Sequence, residues 1–208
     1  DAYDAANGVY SIWGNPTAFY AVFTAHDFTV SFDVNGGTGA LDDIVFTYDV
    51  PQNIPTAAAG GITRAGYTFG GWTTGPNGTG TLYADGDLVE DNLAYEQDAV
   101  ATLYAKWVPT TYQVAFRSGA AEATGTMANQ THTYDSAKAL SDNAFAYAGH
   151  TFAGWAITPG GEAVYTDAAD GTVDGKITVM NLSSDGTTVT LYATWVPTQY
   201  AVTFVAGD

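Results

Sequence analysis

The most constraining feature of this sequence is a ten-residue segment that occurs twice. LYAKWVPTTY covers residues 103–112, and LYATWVPTQY covers residues 191–200, 88 positions further along. A degenerate third copy, FYAVFTAHDF, lies at residues 19–28. Because a fixed spacing of this size indicates a repeated supersecondary unit, the chain is expected to consist of copies of one module.

A second repeated segment defines the interior of the module. GYTFGGW covers residues 66–72 and returns as GHTFAGW at residues 149–155, with five of seven positions identical. Near these landmarks, hydrophobic residues alternate with polar ones, as in FTVSFDV at residues 28–34, and a period of two predicts half-buried strands. The same alternation predicts strands that begin at Tyr112 and Tyr200.

The repeats divide the chain into two complete modules and two partial ones. Residues 28–111 and 112–199 are predicted to be the complete modules. Residues 1–27 correspond to the C-terminal part of a truncated repeat, and residues 200–208 correspond to the first strand of a further repeat. The chain is therefore expected to be a piece of a longer array.

Each module is expected to be a small α+β unit that is mostly β. Four or five strands and one short helix fit the observed period of 84 to 88 residues. Two intervals have some helical character: residues 51–65 contain an alanine run between prolines and a glycine pair, and residues 136–148 carry apolar residues at approximate helical spacing. We expect a turn or a short helix in each interval.

Short proline-containing segments connect the modules, at residues 108–111 (VPTT) and 196–199 (VPTQ). Proline fixes its own φ angle and pushes the preceding residue toward an extended conformation. Neighbouring modules should therefore be held within a limited range of angles, which predicts a semi-rigid rod. The copy at residues 19–28 lacks proline, and a bend is expected there.

Charge and composition exclude several classes of protein. The 22 acidic residues outnumber the 5 basic ones and give a formal charge of −17, so DNA or RNA would be repelled. Because 46% of the residues are hydrophobic, the chain should fold. No apolar run has the length of a membrane helix, so no membrane insertion is expected in this segment. The absence of cysteine excludes disulfides and thiol catalysis.

Three motifs in order resemble a known family. An alternating strand ends in D-x-N-G-G at residues 28–37, GYTFGGW follows at 66–72, and LYAKW closes the module at 103–107. Together they resemble the Listeria/Bacteroides repeat, the B-repeat family of internalin B, and the second module repeats the last two motifs at 149–155 and 191–195. The resemblance implies a β-grasp-like module in extracellular stalks of bacterial surface proteins and adhesins. It implies no catalytic residues.

No motif of the chain predicts a catalytic, cofactor-binding or metal-binding site. His26, His132 and His150 lie far apart in the sequence, and none belongs to a zinc-binding pattern. No serine lies in a nucleophile motif, and the glycine-rich segments at 35–39 and 75–80 lack the lysine of a phosphate loop. We therefore expect a protein that is not an enzyme and that carries no cofactor.

Acidic loops leave calcium binding as an alternative. Carboxylates of such loops could supply oxygen ligands for Ca²⁺, although their spacing does not match a regular calcium loop. A solvated acidic loop is the simpler interpretation. The residues concerned are Asp85, Asp87, Glu90, Asp91, Asp167, Asp170 and Asp174.

The sequence predicts a non-enzymatic stalk or spacer segment of an acidic bacterial cell-surface protein or adhesin, located outside the cell. Its partners would be neighbouring repeats of the same chain. One alternative is a module that binds a glycan or peptide on a host or microbial surface, with Tyr10, Trp13, Tyr95 and Tyr147 as candidates for an aromatic platform. Another is a homo-assembly, in which residues 200–208 of one subunit complete residues 1–27 of the next subunit and build a filament by strand donation.

Overall fold

The computed structural model of the protein describes residues 2–4, 9–11, 22–166, 172–173 and 176–204. Within these ranges the chain folds mainly into short strands, so the predicted mostly-β class is confirmed. The strands are β1 (Ala2–Asp4), β2 (Val9–Ser11), β3 (Asp27–Asp33), β4 (Ile44–Thr47), β5 (Gln52–Asn53), β6 (Tyr67–Gly75), β7 (Thr79–Tyr83), β8 (Leu88–Val89), β9 (Val100–Pro109), β10 (Thr111–Arg117), β11 (Gln130–Thr133), β12 (Lys138–Ala139), β13 (His150–Ala156), β14 (Thr172–Val173), β15 (Lys176–Val179) and β16 (Val189–Pro197).

The first complete module is built on a five-stranded sheet with the order β4-β3-β9-β6-β7. The first long strand, β3, runs parallel to the closing strand β9, and every other pair in the sheet is antiparallel. A separate two-stranded sheet joins β5 to β8. The two repeated motifs thus lie side by side, because β6 carries GYTFGGW and β9 carries LYAKW.

The second complete module has the same order in a four-stranded sheet, β11-β10-β16-β13, and β10 again runs parallel to β16. An isolated bridge between Trp155 and Tyr165 replaces the fifth strand, at the position of the Trp72–Tyr83 pair in the first module. Its smaller sheet has the order β12-β15-β14.

Each module has its own hydrophobic core, built from matching positions. Phe28, Val30, Trp72, Leu103 and Ala105 are buried in the first core. The second core contains the equivalent residues, which are Tyr112, Val114, Trp155, Leu191 and Ala193. The alternation seen in the sequence therefore has a packing cause, because the residues on one face of each strand form the core.

His132 occupies the position that Phe46 has in the first module. Phe46 packs on Phe28 with ring centroids 5.7 Å apart, and His132 stacks on Tyr112 at 5.5 Å. The histidine is 1% exposed, and neither ring nitrogen has a hydrogen-bond partner among the described residues. Burial, with a smaller effect from the Lys138 charge, lowers the pKa of His132.

The two intervals with helical character differ. In the first, residues Ala57–Gly60 form a short 3-10 helix, which Gly61 ends in a left-handed conformation. Residues 136–148 contain no helix; Lys138–Ala139 form strand β12 and pair with β15. The Gln130 side chain helps to hold this extended segment, since it donates to the Ala139 carbonyl and accepts from the Ser141 amide.

The two ends of the chain fit the repeat less closely. At the N-terminal end, β1 and β2 form an antiparallel hairpin, and most of the proposed truncated repeat, residues 1–27, lies outside the described residues. Residues 200–204 do not form a strand, and the side chains of Tyr200, Val202 and Phe204 are exposed.

Candidate functional site: the joint between the modules

The two complete modules are joined without a free linker. Strand β9 continues to Pro109 and β10 begins at Thr111, so Thr110 alone separates them. The Thr110 amide donates to the Gly66 carbonyl of the first module at 2.9 Å, and the Thr110 carbonyl accepts from the Tyr134 amide of the second module at 2.9 Å. The proline-containing segment that was predicted to connect the modules is therefore strand except at Thr110, and both modules bond to that residue.

Gly66, the first residue of GYTFGGW, permits the modules to approach closely. Its φ angle is +79°, a conformation that favours glycine, and a Cβ atom built on it would lie 2.2 Å from the aromatic ring of Tyr134. Gly66 is buried and directly precedes β6. The requirement for glycine here therefore comes from the neighbouring module as well as from the backbone conformation.

Tyr67 carries the polar contact across the joint. Its hydroxyl donates to Asp135 Oδ2 at 2.5 Å, and its ring packs edge-on against Tyr134 with centroids 5.7 Å apart. The Arg64 guanidinium lies 4.1 Å from the centre of the Tyr67 ring, within the range of a cation–π contact. The hydrogen bond to Asp135, more than desolvation, raises the pKa of Tyr67, and hydrogen bonds from Tyr67 and then Asn181 lower the pKa of Asp135.

Asp135 is held in place by a reciprocal pair with Asn181. Its amide donates to Asn181 Oδ1 at 2.6 Å, and Asn181 Nδ2 donates to Asp135 Oδ1 at 2.7 Å. The first module has the same pair, with Asp49 and Asn92 joined by bonds of 2.8 and 2.7 Å. Both aspartates have positive φ angles, 58° for Asp49 and 55° for Asp135, which the side-chain pair stabilises.

The far end of the second module repeats this surface with different residues. Gly149 has φ +74°, as Gly66 does, but a Cβ atom there would meet no atom of the described residues within 4 Å. His150 stands at the position of Tyr67 and stacks on Tyr147 at 3.9 Å, with the rings 2° from parallel. Its Nδ1 atom lies 3.0 Å from the Ala148 carbonyl.

A pocket of about 270 Å³ lies beside the joint, on the first module. Arg64 and Tyr67 belong to both the joint and the pocket. The complete lining is Asn35, Arg64, Tyr67, Asn77, Gly78, Lys106 and Trp107.

Three of the acidic residues considered as calcium ligands, Asp85, Asp87 and Asp91, accept hydrogen bonds from nearby protein donors. Asp85 accepts from the Ala57 amide at 2.7 Å, and Asp87 accepts from the amides of Ala84 and Leu88. Asp91 accepts from the Tyr83 hydroxyl at 3.3 Å. Within the described ranges, no three His, Asp or Glu side chains lie close enough together to hold a metal ion. Asp167, Asp170 and Asp174 lie outside the described residues.

The two described candidates for an aromatic platform, Tyr95 and Tyr147, lie in different modules and pack on different partners. Tyr95 is 70% exposed and packs edge-on against Tyr48 at 6.2 Å. Tyr147 stacks on His150 and contacts Trp195. Trp13 and the side chain of Tyr10 lie outside the described residues.

A repeated Asn-Leu dipeptide is a further signal of the module that the sequence analysis did not use. The dipeptide Asn-Leu occurs at residues 92–93 and again at 181–182, 89 positions later. Both asparagines hold the aspartate pairs described above, and both leucines pack against the cores. The surrounding acidic loops differ in sequence, which hides the match.

Comparison with known proteins identifies the family. The model of the Listeria-Bacteroides repeat domain matches residues 28–106 and again residues 112–180. Together these matches cover well over half of the chain, so the protein belongs to the Listeria-Bacteroides repeat family, as its motifs predicted.

A related protein from Evansella cellulosilytica carries the provisional name of a Gly-rich membrane protein. It is 27% identical over 199 residues, a region that includes 93% of this chain but only 21% of the relative. No solved structure matches the chain. None of the helical segments in the described ranges has the length and apolar character needed to cross a bilayer.

Proposed function

We propose that this chain is a non-enzymatic stalk segment of a bacterial cell-surface protein, built from β-grasp-like modules in tandem. The strand order supports the β-grasp-like assignment, because a parallel pair of first and last strands lies at the centre of each mixed sheet. Family membership and the name of the Evansella relative support a location at the cell surface.

The joint is the observation that carries the proposal. Modules that act independently are usually connected by exposed, flexible linkers. Here one residue separates two strands, and its amide and carbonyl are bonded to different modules. Such a connection stabilises a fixed angle between modules, which is the property that a spacer requires.

X-ray scattering of the complete chain in solution tests this function. The expected result is an elongated monomer whose maximum dimension does not change with ionic strength. The matched control carries four glycines inserted after Thr110, which should broaden the distribution of distances between the modules. A compact particle, or a control that scatters identically to the natural chain, would contradict the stalk proposal.

A further inference from the structure

The pocket beside the joint concentrates positive charge in a strongly acidic protein. The chain has only 5 Lys and Arg residues against 22 Asp and Glu, yet Arg64 and Lys106 line the same pocket. Among the described residues, neither lies within 4.0 Å of a carboxylate, whereas Lys176 pairs with Asp142 at 3.1 Å. Two cations that share a pocket without a carboxylate partner are electrostatically complementary to an anionic ligand.

Both cations are positioned before any ligand arrives. The guanidinium of Arg64 is held over the Tyr67 ring, and one of its nitrogens lies 3.4 Å from the Asn35 carbonyl oxygen. Because a guanidinium has five N–H donors, most remain available. The stem of Lys106 runs along Gly78, at 3.5 Å from the place where a Cβ atom would stand. Preorganised donors bind at a lower entropic cost than mobile ones.

The remaining walls of the pocket suit a sugar. Trp107 and Tyr67 provide aromatic surface, and the Trp107 indole is fixed by its hydrogen bond to the Val34 carbonyl at 3.0 Å. Asn35 and Asn77 add amide groups that can bond to hydroxyls. Aromatic walls with a few convergent polar groups are the usual composition of a small-molecule site.

We propose that this pocket binds a carboxylate-bearing sugar unit of an acidic polysaccharide. The carboxylate pairs with Arg64 and Lys106, the hydroxyls bond to the asparagines, and the sugar ring lies against the aromatic wall. The function is additional to that of a stalk and does not depend on it, since every residue that lines the pocket belongs to the first module.

The acidic residues around the pocket limit its affinity for an acidic sugar. They also influence how this affinity depends on salt concentration. Two carboxylates near the pocket accept hydrogen bonds from the protein: Asp33 from the Asn35 amide at 2.7 Å, and Asp135 from Tyr67 and Asn181. Both remain charged, and after the hydrogen bonds from Tyr67 and Asn181 the Arg64 charge also helps to lower the pKa of Asp135. More distant charges are screened within about 8 Å at physiological ionic strength. Where this distant repulsion is already screened, further salt weakens mainly the contact between the sugar carboxylate and the two cations, so binding should weaken.

The second module is an internal control. Its Trp195 makes the same indole bond, to the Ser118 carbonyl at 2.7 Å, so the frame of the pocket is preserved. The side chains that would bind the sugar are not preserved. Gly119, Tyr147, His150 and Thr194 stand at the positions of Asn35, Arg64, Tyr67 and Lys106.

Titration of the complete chain with tetragalacturonate, followed by amide NMR shifts, tests the proposal. Shifts should be confined to the pocket of the first module, and neutral maltotetraose should produce none. Lys106→Thr and Arg64→Tyr place the residues of the second module in the first. Each should weaken binding by about tenfold or more, since a hydrogen bond to a charged group is worth about 1.5–3 kcal/mol. Lys138→Thr removes the same charge from an exposed position in the second module and should change binding less than about twofold.

Three results would overturn the inference. The first is the absence of shifts with tetragalacturonate. The second is equal binding by Lys106→Thr and Lys138→Thr, which would show a diffuse charge effect. The third is binding of sodium sulfate at the same site with equal affinity, which would show that the sugar contributes nothing. Scattering of the same samples reports separately on the stalk function.

Discussion

The two modules present the same surface at their C-terminal ends, and within the described part of the chain only the surface of the first module is covered. Gly66 of the first module is buried under Tyr134, whereas Gly149 of the second module is exposed with open space around it. Both have nearly the same backbone conformation, with φ angles of +79° and +74°. The repeated motif therefore serves two purposes, because its later residues build the core and its first two residues meet the next module.

The substitution Gly66→Ala should have the largest effect. A methyl group at Gly66 must displace Tyr134 in addition to straining the backbone, and we expect a loss of about 2–4 kcal/mol in the free energy of unfolding. Gly149→Ala carries the same strain without the clash and should cost only about 1 kcal/mol. Urea unfolding measures both values, and scattering should show a wider range of module orientations for Gly66→Ala alone. Equal losses would mean that the contact with Tyr134 contributes little.

Sequence patterns predicted the strands because the alternation directly reports which side chains enter each core. They did not predict the joint, since the contact between Gly66 and Tyr134 links residues in different modules, and no periodicity within a module records it. The proline at position 109 suggested a separate connecting segment, because proline fixes its own φ angle and pushes the preceding residue toward an extended conformation. In the structure it ends β9 opposite Tyr67, where it still fits the extended backbone.

Residues 136–148, where a turn or a short helix was expected, show a second limit of prediction from sequence patterns. Spacing of apolar residues cannot distinguish a short amphipathic helix from a loop whose apolar residues reach the core separately. Leu140 and Phe145 do pack on the second core, but the Gln130 side chain and strand β15 satisfy the nearby backbone groups. The candidate pocket also escaped prediction, since Asn35, Arg64 and Lys106 come from three separate parts of the module.

The core position shared by Phe46 and His132 gives a second comparison. His132→Phe should stabilise the second module by about 1–2 kcal/mol at neutral pH, because it removes two buried nitrogens that have no partner among the described residues. The reverse change, Phe46→His, should destabilise the first module by at least as much. Thermal unfolding followed by tryptophan fluorescence measures both. A destabilised His132→Phe would show that the imidazole makes a contact that phenylalanine cannot replace.

The pH dependence of the second module should come partly from the same histidine. Its folded-state pKa is lowered by burial, so the unfolded chain takes up a proton first as the pH falls. The stability that depends on neutral His132 is complete above the unfolded pKa of about 6.5 and is lost as the pH falls through the lower folded value. His132→Phe should reduce the change of the unfolding midpoint between about pH 7 and pH 5. Lys138→Thr should leave most of this pH dependence in place. If the unfolding midpoint of His132→Phe depends on pH as strongly as that of the natural chain, the pH dependence comes from other groups.

Variants of the two aspartate–asparagine pairs can distinguish an effect on one module from an effect on the joint. Asn92→Ala and Asn181→Ala should each cost about 1 kcal/mol in the stability of their own module, since each removes a reciprocal pair of hydrogen bonds. Only Asn181→Ala should also disturb the joint, because Asp135 then loses the partner that orients it toward Tyr67. Scattering distinguishes the two variants. If both variants changed the module orientation equally, the contact between Asp135 and Tyr67 would not contribute to the joint.

Tyr67→Phe should have the smallest effect on stability and the most specific effect on pH dependence. The hydroxyl lowers the pKa of Asp135, so its contribution is present above the unfolded pKa of an aspartate, about 3.9, and is lost as the pH falls through the lower folded value. In the natural chain the distribution of module orientations should therefore widen under acid conditions. In Tyr67→Phe it should already be wider at neutral pH and should change less on acidification. His150→Phe, at the uncovered equivalent position, should behave as the natural chain does. If His150→Phe and Tyr67→Phe respond alike, the bond between Tyr67 and Asp135 does not set the angle between the modules.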